Sequence, residues 1–300
     1  MQSTRPLFVV PMSFLATLSL PTDSAWGSAL TGPLDAGNPV NGKTPARAGH
    51  RVPSGETIEH LGRFEVIELR RYTTLHGARQ TFASYFESFF PEAFEQLGAM
   101  VFGSFCERGN ETGFTWLRGF HDINARAIVN AAFYYGPLWK EHRNRMNNIL
   151  PDSDNVLLLK PLSPERGVTL LPAMDPVLEA GGAEGVMVAQ IFPVAEHRID
   201  EFSRQAEPVF ARYRAAGIHE AGVLVTLDVA NNFPQLPVRE DGPYLVWLGL
   251  LKDDEMLQEQ FMTLEKQHRP FFHGTGLLRD EPELLIMDPT RRSRLRWLGA

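Results

Sequence analysis

The pattern of apolar and polar positions divides the chain into alternating strand-like and helix-like segments. Residues 64–74 are rich in Val, Ile, Leu and Tyr, which predicts a β-strand. Residues 79–97 repeat apolar side chains at helical spacing, so one face of an amphipathic helix is expected to be buried. Two further strands are predicted over 100–106 and 114–120, joined by a turn that contains glycine and asparagine.

A second helix and a fourth strand complete this unit. Asp122 is a predicted N-cap for a helix that extends to Met146, with a break at Gly136 and Pro137. Residues 156–160 form a continuous apolar run, which predicts a strand covered on both faces. The predicted order is therefore β-α-β-β-α-β.

The second half of the chain repeats this order. Its predicted elements are, in sequence, 185–192, 200–216, 222–229, 244–250, 253–268 and 284–287. Residues 116–117 match residues 247–248, and residues 140–143 match residues 266–269. Matches at corresponding places in two consecutive units indicate a duplicated ferredoxin-like unit.

The predicted fold class is α+β, with two tandem ferredoxin-like β-α-β-β-α-β units in a dimeric α/β-barrel-type arrangement. Each unit has helices on one face of its sheet, so the other face needs a cover. A sheet from the same chain would give a monomer with pseudo-dimeric halves, and a sheet from a second molecule would give a homodimer. The predicted divisions are a tail at 1–57, a first domain at 58–161, a linker at 162–183, a second domain at 184–290 and a basic tail at 291–300.

The first 57 residues differ in composition from the rest of the chain. They are rich in Pro, Gly, Ser and Thr and have no sustained period, which is typical of a disordered segment. Arg5, the apolar run Leu7–Leu20 and the small residues at 25–29 also fit a targeting peptide. We expect a cytoplasmic protein without a transmembrane segment, with export or targeting through residues 1–29 as the alternative.

Charge and cysteine content exclude several classes of site. The formal net charge of -7 argues against a nucleic-acid partner, because phosphate binding needs a positive field. The one cysteine, Cys106, excludes an intrachain disulfide and a thiolate-clustered metal site. The sequence contains no glycine-rich phosphate-binding loop, no Gly-x-Ser-x-Gly and no His-x-x-x-His. No cofactor and no metal are predicted.

Three segments of the first half resemble the NIPSNAP family. They are Phe114-Thr-Trp-Leu-Arg-Gly-Phe120, Phe133-Tyr-Tyr-Gly-Pro-Leu-Trp-Lys-Glu-His-Arg143 and Asp152-Ser-Asp-Asn-Val-Leu-Leu-Leu-Lys160. The resemblance implies the dimeric α/β-barrel group, which includes small cofactor-free monooxygenases, haem-degrading enzymes and proteins with no known activity.

The resemblance is uneven along the chain. It covers about residues 61–161 well and about residues 184–289 more weakly. In the second half Gly249 aligns with Arg118, and residues 136–139 have no equivalent. A ligand site is therefore expected in the first half.

The third predicted strand carries the first candidate site residues. Alternation places Phe114, Trp116, Arg118 and Phe120 on one face. An inward-facing arginine needs an anionic or carbonyl partner. Trp116 and Arg118 are therefore candidates to bind a ligand carboxylate or phosphate. The alternatives are a structural salt bridge and an edge position where Arg118 reaches solvent.

The second predicted helix carries further candidates. Trp139, His142 and Arg143 lie at i, i+3 and i+4 and share one face. His142 is a candidate general base, or a haem or metal ligand. The copy of the pair at residues 268–269 favours a packing or capping role near the helix C-terminus instead.

Other residues near these segments are less specific. Tyr134 and Tyr135 precede the helix break and either line a pocket or accompany a turn. His121 is expected to be exposed, and Cys106 is expected to be an inert buried thiol. The basic tail is expected to be a solvated end, with contact to an acidic partner as the alternative.

Three functional hypotheses result. The first is a NIPSNAP-like protein that binds a small apolar or anionic ligand, or a protein partner, between sheet and helices. The second is a cofactor-independent monooxygenase or isomerase, in which Arg118 holds an anionic group and His142 or Tyr134 moves a proton. The third is haem binding through His142. An unpaired Arg118 in an open pocket would favour the enzyme, whereas an Arg118 bridged to a carboxylate in a packed interior would oppose it.

Overall fold

Strands from both halves of the chain join in one closed sheet. The computed structural model describes residues 64–175 and 177–297, so the tail or targeting peptide predicted within residues 1–57 lies outside the described residues. In the first half the elements are β1 (Val66–Thr73), α1 (Arg79–Gln96), β2 (Met100–Glu107), β3 (Gly113–Phe120), α2 (Ile123–Tyr134), α3 (Pro137–Asn147) and β4 (Asp152–Pro161).

The second half has the same order of elements. They are β5 (Val186–Pro193), α4 (Ile199–Ala215), β6 (His219–Thr226), β7 (Tyr244–Leu251), α5 (Asp254–Met256), a π-helical turn (Leu257–Phe261), α6 (Met262–Gly274) and β8 (Glu283–Pro289). A short 3-10 turn, Pro164–Arg166, follows β4 between the halves.

The barrel closes where the edge strands of the first-half sheet pair with the edge strands of the second-half sheet. Its order is β1-β3-β2-β8-β5-β7-β6-β4, with antiparallel neighbours. Phe105 of β2 lies opposite Pro289 of β8, and Leu159 of β4 lies opposite Thr226 of β6. The predicted fold class, two ferredoxin-like units in an α/β barrel, is confirmed. The second face of each sheet is covered by the other half of the same chain.

Strand alternation separates the core into one inner and two outer clusters. Leu69 and Leu117 from the first half meet Leu248 from the second half inside the barrel. On the outside, α1, α2 and α3 cover the first-half sheet around Phe86, and the second-half helices cover their sheet around Phe210. Each fully buried side chain of this size contributes about 1.5–3 kcal/mol to stability. The space between sheet and helices in the first half is the setting of the candidate site.

The predicted break in the second helix is confirmed. Asp122 caps α2, because its carboxylate accepts a hydrogen bond from the Ala125 backbone N–H at 2.7 Å. Gly136 is extended, and Pro137 occupies the first turn of α3, where its missing N–H costs nothing.

Several predicted boundaries are wrong. Strand β4 begins at Asp152, because polar residues before the apolar run still pair with β1. Strand β6 ends at Thr226, because the chain turns directly after it, where the Val229 N–H donates to the carbonyl of Leu227 at 2.9 Å. The last helix continues through Pro270 and ends at Gly274.

The basic residues after β8 form a segment that packs on the first half. We call residues 290–297 the C-terminal segment. The Leu295 N–H donates to the carbonyl of Phe102 at 3.0 Å, and the Leu295 side chain is fully buried. The prediction of a solvated end is therefore wrong.

The acidic partner of this segment is the chain itself. Arg292 pairs with Glu92, and Arg294 pairs with Glu95 at 2.9 Å, both on α1. Within the described residues, no helix is long and apolar enough to cross a membrane.

Leu295→Ala should lower the free energy of unfolding by about 2–5 kcal/mol, because it leaves a cavity beneath the C-terminal segment. Urea denaturation at neutral pH measures this change. Leu75→Ala is the matched control, since Leu75 is 48% exposed and should change stability by about 0.5 kcal/mol at most. Equal effects of the two substitutions would contradict the packing of this segment.

Candidate functional site

Two adjacent strands place charged side chains between the sheet and the helices. Glu68 of β1 lies opposite Arg118 of β3, and Arg70 lies opposite Trp116. Their alternate neighbours point into the barrel, so these four side chains share the helix-facing layer. Arg126 of α2 reaches the same layer from above the sheet and is fully buried.

Glu68 is the common partner of three buried arginines. Its Oε2 accepts hydrogen bonds from Arg70 Nη1 and Arg118 Nε, each at 2.8 Å, and its Oε1 accepts one from Arg126 Nε at 2.6 Å. Each of the four side chains is at most 1% exposed. We call these four residues the Glu68 cluster.

The Glu68 carboxylate stays ionised in this setting. Burial raises its pKa, but the attraction of Arg118, Arg70 and Arg126 outweighs burial and holds the pKa well below its usual range. Burial also raises the pKa of Tyr72, whose oxygen accepts a hydrogen bond from Arg70 Nε at 2.8 Å, so this phenol stays neutral. Three guanidinium groups and one carboxylate give the Glu68 cluster a net charge of about +2, since arginine is always protonated.

Several buried polar atoms of this layer have no hydrogen-bond partner. They are Arg118 Nη1, Arg126 Nη2, the indole nitrogen of Trp116, and both amide atoms of Asn130. Arg118 Nη2 lies 2.7 Å from Glu68 Oε2, at an angle that makes an ion pair but no hydrogen bond. The cluster therefore combines surplus positive charge with unused N–H donors.

Aromatic rings enclose the Arg118 guanidinium. Its Cζ lies 4.8 Å from the ring centre of Phe94 and 5.1 Å from those of Trp116 and Phe120. The Tyr134 ring lies at 6.0 Å. Such cation–π contacts stabilise a buried arginine, but they satisfy none of its N–H groups.

The second half builds the same layer without these charges. Gln190 lies opposite Trp247, and Val188 lies opposite Gly249, so these residues occupy the places of the Glu68 cluster on the sheet. Glycine at 249 is required there, because an added Cβ would clash with the Trp247 ring. Leu257, four residues after the capping Asp253, takes the place that Arg126 has after Asp122.

The structure brings only some of the predicted site residues together. Arg118 belongs to the Glu68 cluster, and the rings of Trp116 and Tyr134 pack against it. Trp139 packs on Tyr134 with ring centres 5.1 Å apart. For Arg118, the structural salt bridge is the alternative that the structure shows.

His142, Arg143 and Tyr135 lie away from the cluster. His142 Nδ1 is 2.5 Å from the Tyr85 hydroxyl, and its ring packs on Phe89 at 4.3 Å. Arg143 is exposed, and Tyr135 is 57% exposed. A capping role for the His142 and Arg143 pair is wrong, because α3 continues to Asn147 and both residues lie in its middle.

Sequence analysis missed Glu68, Arg70, Arg126 and Asn130. A signal was present in β1, where Glu68 and Arg70 alternate with apolar residues and share the face of Val66 and Tyr72. Arg126 and Asn130 lie on the buried side of α2 together with Val129 and Phe133. Polar residues inside an apolar stripe are the pattern that would have identified them.

The ring of His142 lies among aromatic side chains. The Tyr85 hydroxyl engages one ring nitrogen, and Phe89 and Phe90 enclose the ring. An axial ligand needs a ring nitrogen that faces a cavity large enough for the macrocycle. Among residues 64–175 and 177–297, no group of three or more His, Cys, Asp or Glu could hold a metal ion.

Comparison with known proteins gives similarity at the level of fold. No family model matches the sequence, and no curated protein matches it. The chain is similar to the structure of a provisionally named monooxygenase from Lactobacillus acidophilus NCFM, with 13% identity, a TM-score of 0.48, and coverage of 75% of this chain and 94% of that one.

Two other solved structures are similar at the same level. An anthrone oxidase-like protein has 15% identity and a TM-score of 0.48, with coverage of 79% of this chain and 96% of that one. A heme-binding protein from Thermus thermophilus has 12% identity and a TM-score of 0.41, with coverage of 75% and 90%.

Glu68→Gln should lower the free energy of unfolding by about 3–5 kcal/mol at neutral pH, because it leaves three buried guanidinium groups without a counter-charge. The folded pKa of Glu68 is depressed, so its contribution is fully present above its unfolded pKa of about 4.3 and is lost as the pH falls. The free energies of unfolding of wild type and variant, measured by urea denaturation, should therefore differ less in acid than at pH 7.

Glu111→Gln is the control for this experiment. Glu111 pairs with His76 on the surface, and its side chain is 80% exposed, so its loss should change stability by less than about 1 kcal/mol. If the Glu68→Gln protein were as stable as this control, Glu68 would not be the counter-charge on which the three buried arginines depend.

Proposed function

We propose that the chain is a NIPSNAP-like α/β-barrel protein that binds a small anionic ligand beside the Glu68 cluster, between the sheet and helices of the first half. The observation that carries this proposal is a buried net charge of about +2 with unused N–H donors on Arg118 and Arg126. The proposed activity is binding, with no chemical step assigned.

Free-energy arguments support a ligand rather than a purely structural cluster. A buried ion cluster is a weak source of stability, and apolar residues of similar volume are often equal or better. The second half illustrates this, since it forms the same layer around Val188 and Gly249. A structural role alone therefore does not account for three buried arginines in the first half.

An anion satisfies two needs of the cluster at once. Buried water could accept hydrogen bonds from Arg118 Nη1 and Arg126 Nη2, but water would leave the net charge unchanged. A planar oxyanion such as a carboxylate accepts from guanidinium groups with matched geometry and offsets the charge. The aromatic rings around Arg118 are suited to contact an apolar substituent on the carboxylate.

The family part of the proposal rests on where the resembling segments lie. Residues 114–120 form β3 and contribute Trp116 and Arg118. Residues 133–143 end α2 and form most of α3, and they contribute Tyr134. Two of the three segments that resemble NIPSNAP proteins thus border the proposed site.

The enzyme and haem hypotheses receive less support from the geometry. Arg118 is bridged to Glu68 in a packed interior, which is the arrangement expected to oppose the enzyme. His142, the proposed base or haem ligand, contacts Tyr85 and Phe89 rather than the Glu68 cluster. Binding is therefore the function that the arrangement favours.

Arg118→Met should weaken carboxylate binding without unfolding the protein, because Glu68 retains Arg70 and Arg126 as partners. Formate, acetate and benzoate are titrated by calorimetry and thermal shift against chloride at constant ionic strength. Loss of a charged hydrogen-bond donor should weaken binding about tenfold or more.

The control for Arg118→Met is Arg143→Met, which removes an exposed arginine from the same half. Its carboxylate affinity should match that of wild type. Wild-type protein that binds none of the three carboxylates, or equal losses in both variants, would overturn the proposed function.

His142→Phe should leave carboxylate affinity within about twofold of wild type, since the ring packs on Phe89 away from the cluster. The same titration measures it. If this variant lost tenfold in carboxylate affinity but kept the thermal stability of wild type, His142 would be a residue of the binding site.

A further inference from the structure

The connections between the second and third strands differ in length between the halves. Residues 108–112 join β2 to β3, whereas residues 227–243 join β6 to β7. We call the longer connection the 227–243 loop. It lies on the first half: the Leu227 N–H donates to the carbonyl of Leu158 at 2.9 Å, and the Arg239 N–H donates to the carbonyl of Val156 at 2.8 Å.

The tip of this loop contacts the Glu68 cluster through Arg126. Arg126 Nη1 donates to Asn231 Oδ1 at 3.0 Å and to Asn232 Oδ1 at 2.8 Å. These two carboxamides are the neutral partners of an arginine whose Nε is bonded to Glu68. The second half of the chain therefore contributes side chains to the first-half site.

The orientation of both carboxamides is determined by their nitrogen atoms. Asn231 Nδ2 donates to the carbonyl of Leu236 at 2.9 Å, and Asn232 Nδ2 donates to the carbonyl of Ile123 at 2.5 Å. Since both amide nitrogens are used elsewhere, the oxygens face Arg126.

Phe233 closes the loop over the neighbouring aromatic residues. It is 6% exposed, and its ring centre lies 6.2 Å from that of Tyr134 and 6.1 Å from that of Tyr135. Arg118 and Arg126 are fully buried, so a ligand can reach them only when a covering element moves. The 227–243 loop is such an element, since loops open more readily than packed helices.

Two differences between the halves therefore occur at the same place in the structure. The first half carries the Glu68 cluster, and it also receives the long loop. Closure of the barrel does not require the extra length, because residues 108–112 connect the corresponding strands of the first half. A shared role at the site explains both departures.

We infer that Asn231 and Asn232 are binding-site residues that hold Arg126 with neutral oxygens and so preserve the positive charge of the cluster for one small carboxylate. This inference rests on the proposed anion site. A carboxylate at either position would pair with Arg126 and supply the negative charge that the ligand would otherwise bring. The side-chain carbonyls would also repel a second acidic group, so the site should select monocarboxylates over dicarboxylates.

The test compares Asn231→Asp with Asn231→Ala. Both substitutions remove the bond from Asn231 Nδ2 to Leu236. Alanine also removes the oxygen that accepts from Arg126 Nη1 and from the Phe233 N–H, whereas aspartate keeps an acceptor there and adds a charge beside Arg126. Formate affinity should be about tenfold lower in Asn231→Asp than in Asn231→Ala, because a charged internal acceptor competes with the ligand. The unliganded Asn231→Asp protein should also melt at a higher temperature than Asn231→Ala.

Asn148→Asp controls for the added charge, since it lies on the exposed end of α3, away from Arg126. It should bind formate as wild type does. Equal melting temperatures of the Asn231→Asp and Asn231→Ala proteins would overturn the inference, as would equal formate affinities. If wild type binds no formate, the proposed carboxylate function fails and the binding role of Asn231 fails with it; a higher melting temperature of the aspartate protein than of the alanine protein would then show only that Asn231 leaves the charge of Arg126 uncompensated.

Discussion

The first half of this barrel depends on one carboxylate. Glu68 joins β1 to β3 through Arg118 and joins the sheet to α2 through Arg126. An apolar contact between helix and sheet tolerates sliding, because the hydrophobic effect is non-directional. Charged hydrogen bonds of 2.6–2.8 Å do not, so Glu68 sets the position of α2 as well as the charge of the layer.

The second half shows what the fold requires by itself. It has the same strand order, the same outer helices and a tryptophan at the same place, Trp247, yet the positions of the charges hold Val188 and Gly249. Even the indole differs in its bonding, since Trp247 Nε1 donates to Glu220 at 3.0 Å whereas Trp116 Nε1 has no partner. Comparison of the halves therefore separates the requirements of the barrel from those of the site.

Periodicity was enough to predict the fold but only part of the site. Strand alternation placed Trp116 and Arg118 on an inward face, and the repeated element order predicted the barrel. Glu68 and Arg126 were missed, because a charged face on a strand or helix usually indicates solvent, and the cover over them comes from elements distant in sequence. Nothing local in the 227–243 loop indicates that Asn231 reaches an arginine in the other half.

Closure of both sheets within one chain has a consequence for how such a site can evolve. In a barrel made of two identical subunits, every substitution occurs twice, so a charged cluster and the loop that covers it must be compatible with themselves across the symmetry axis. Here the pairings of β2 with β8 and of β4 with β6 are encoded by different residues. One half can therefore retain an apolar core while the other half contains buried charge, which is energetically unfavourable.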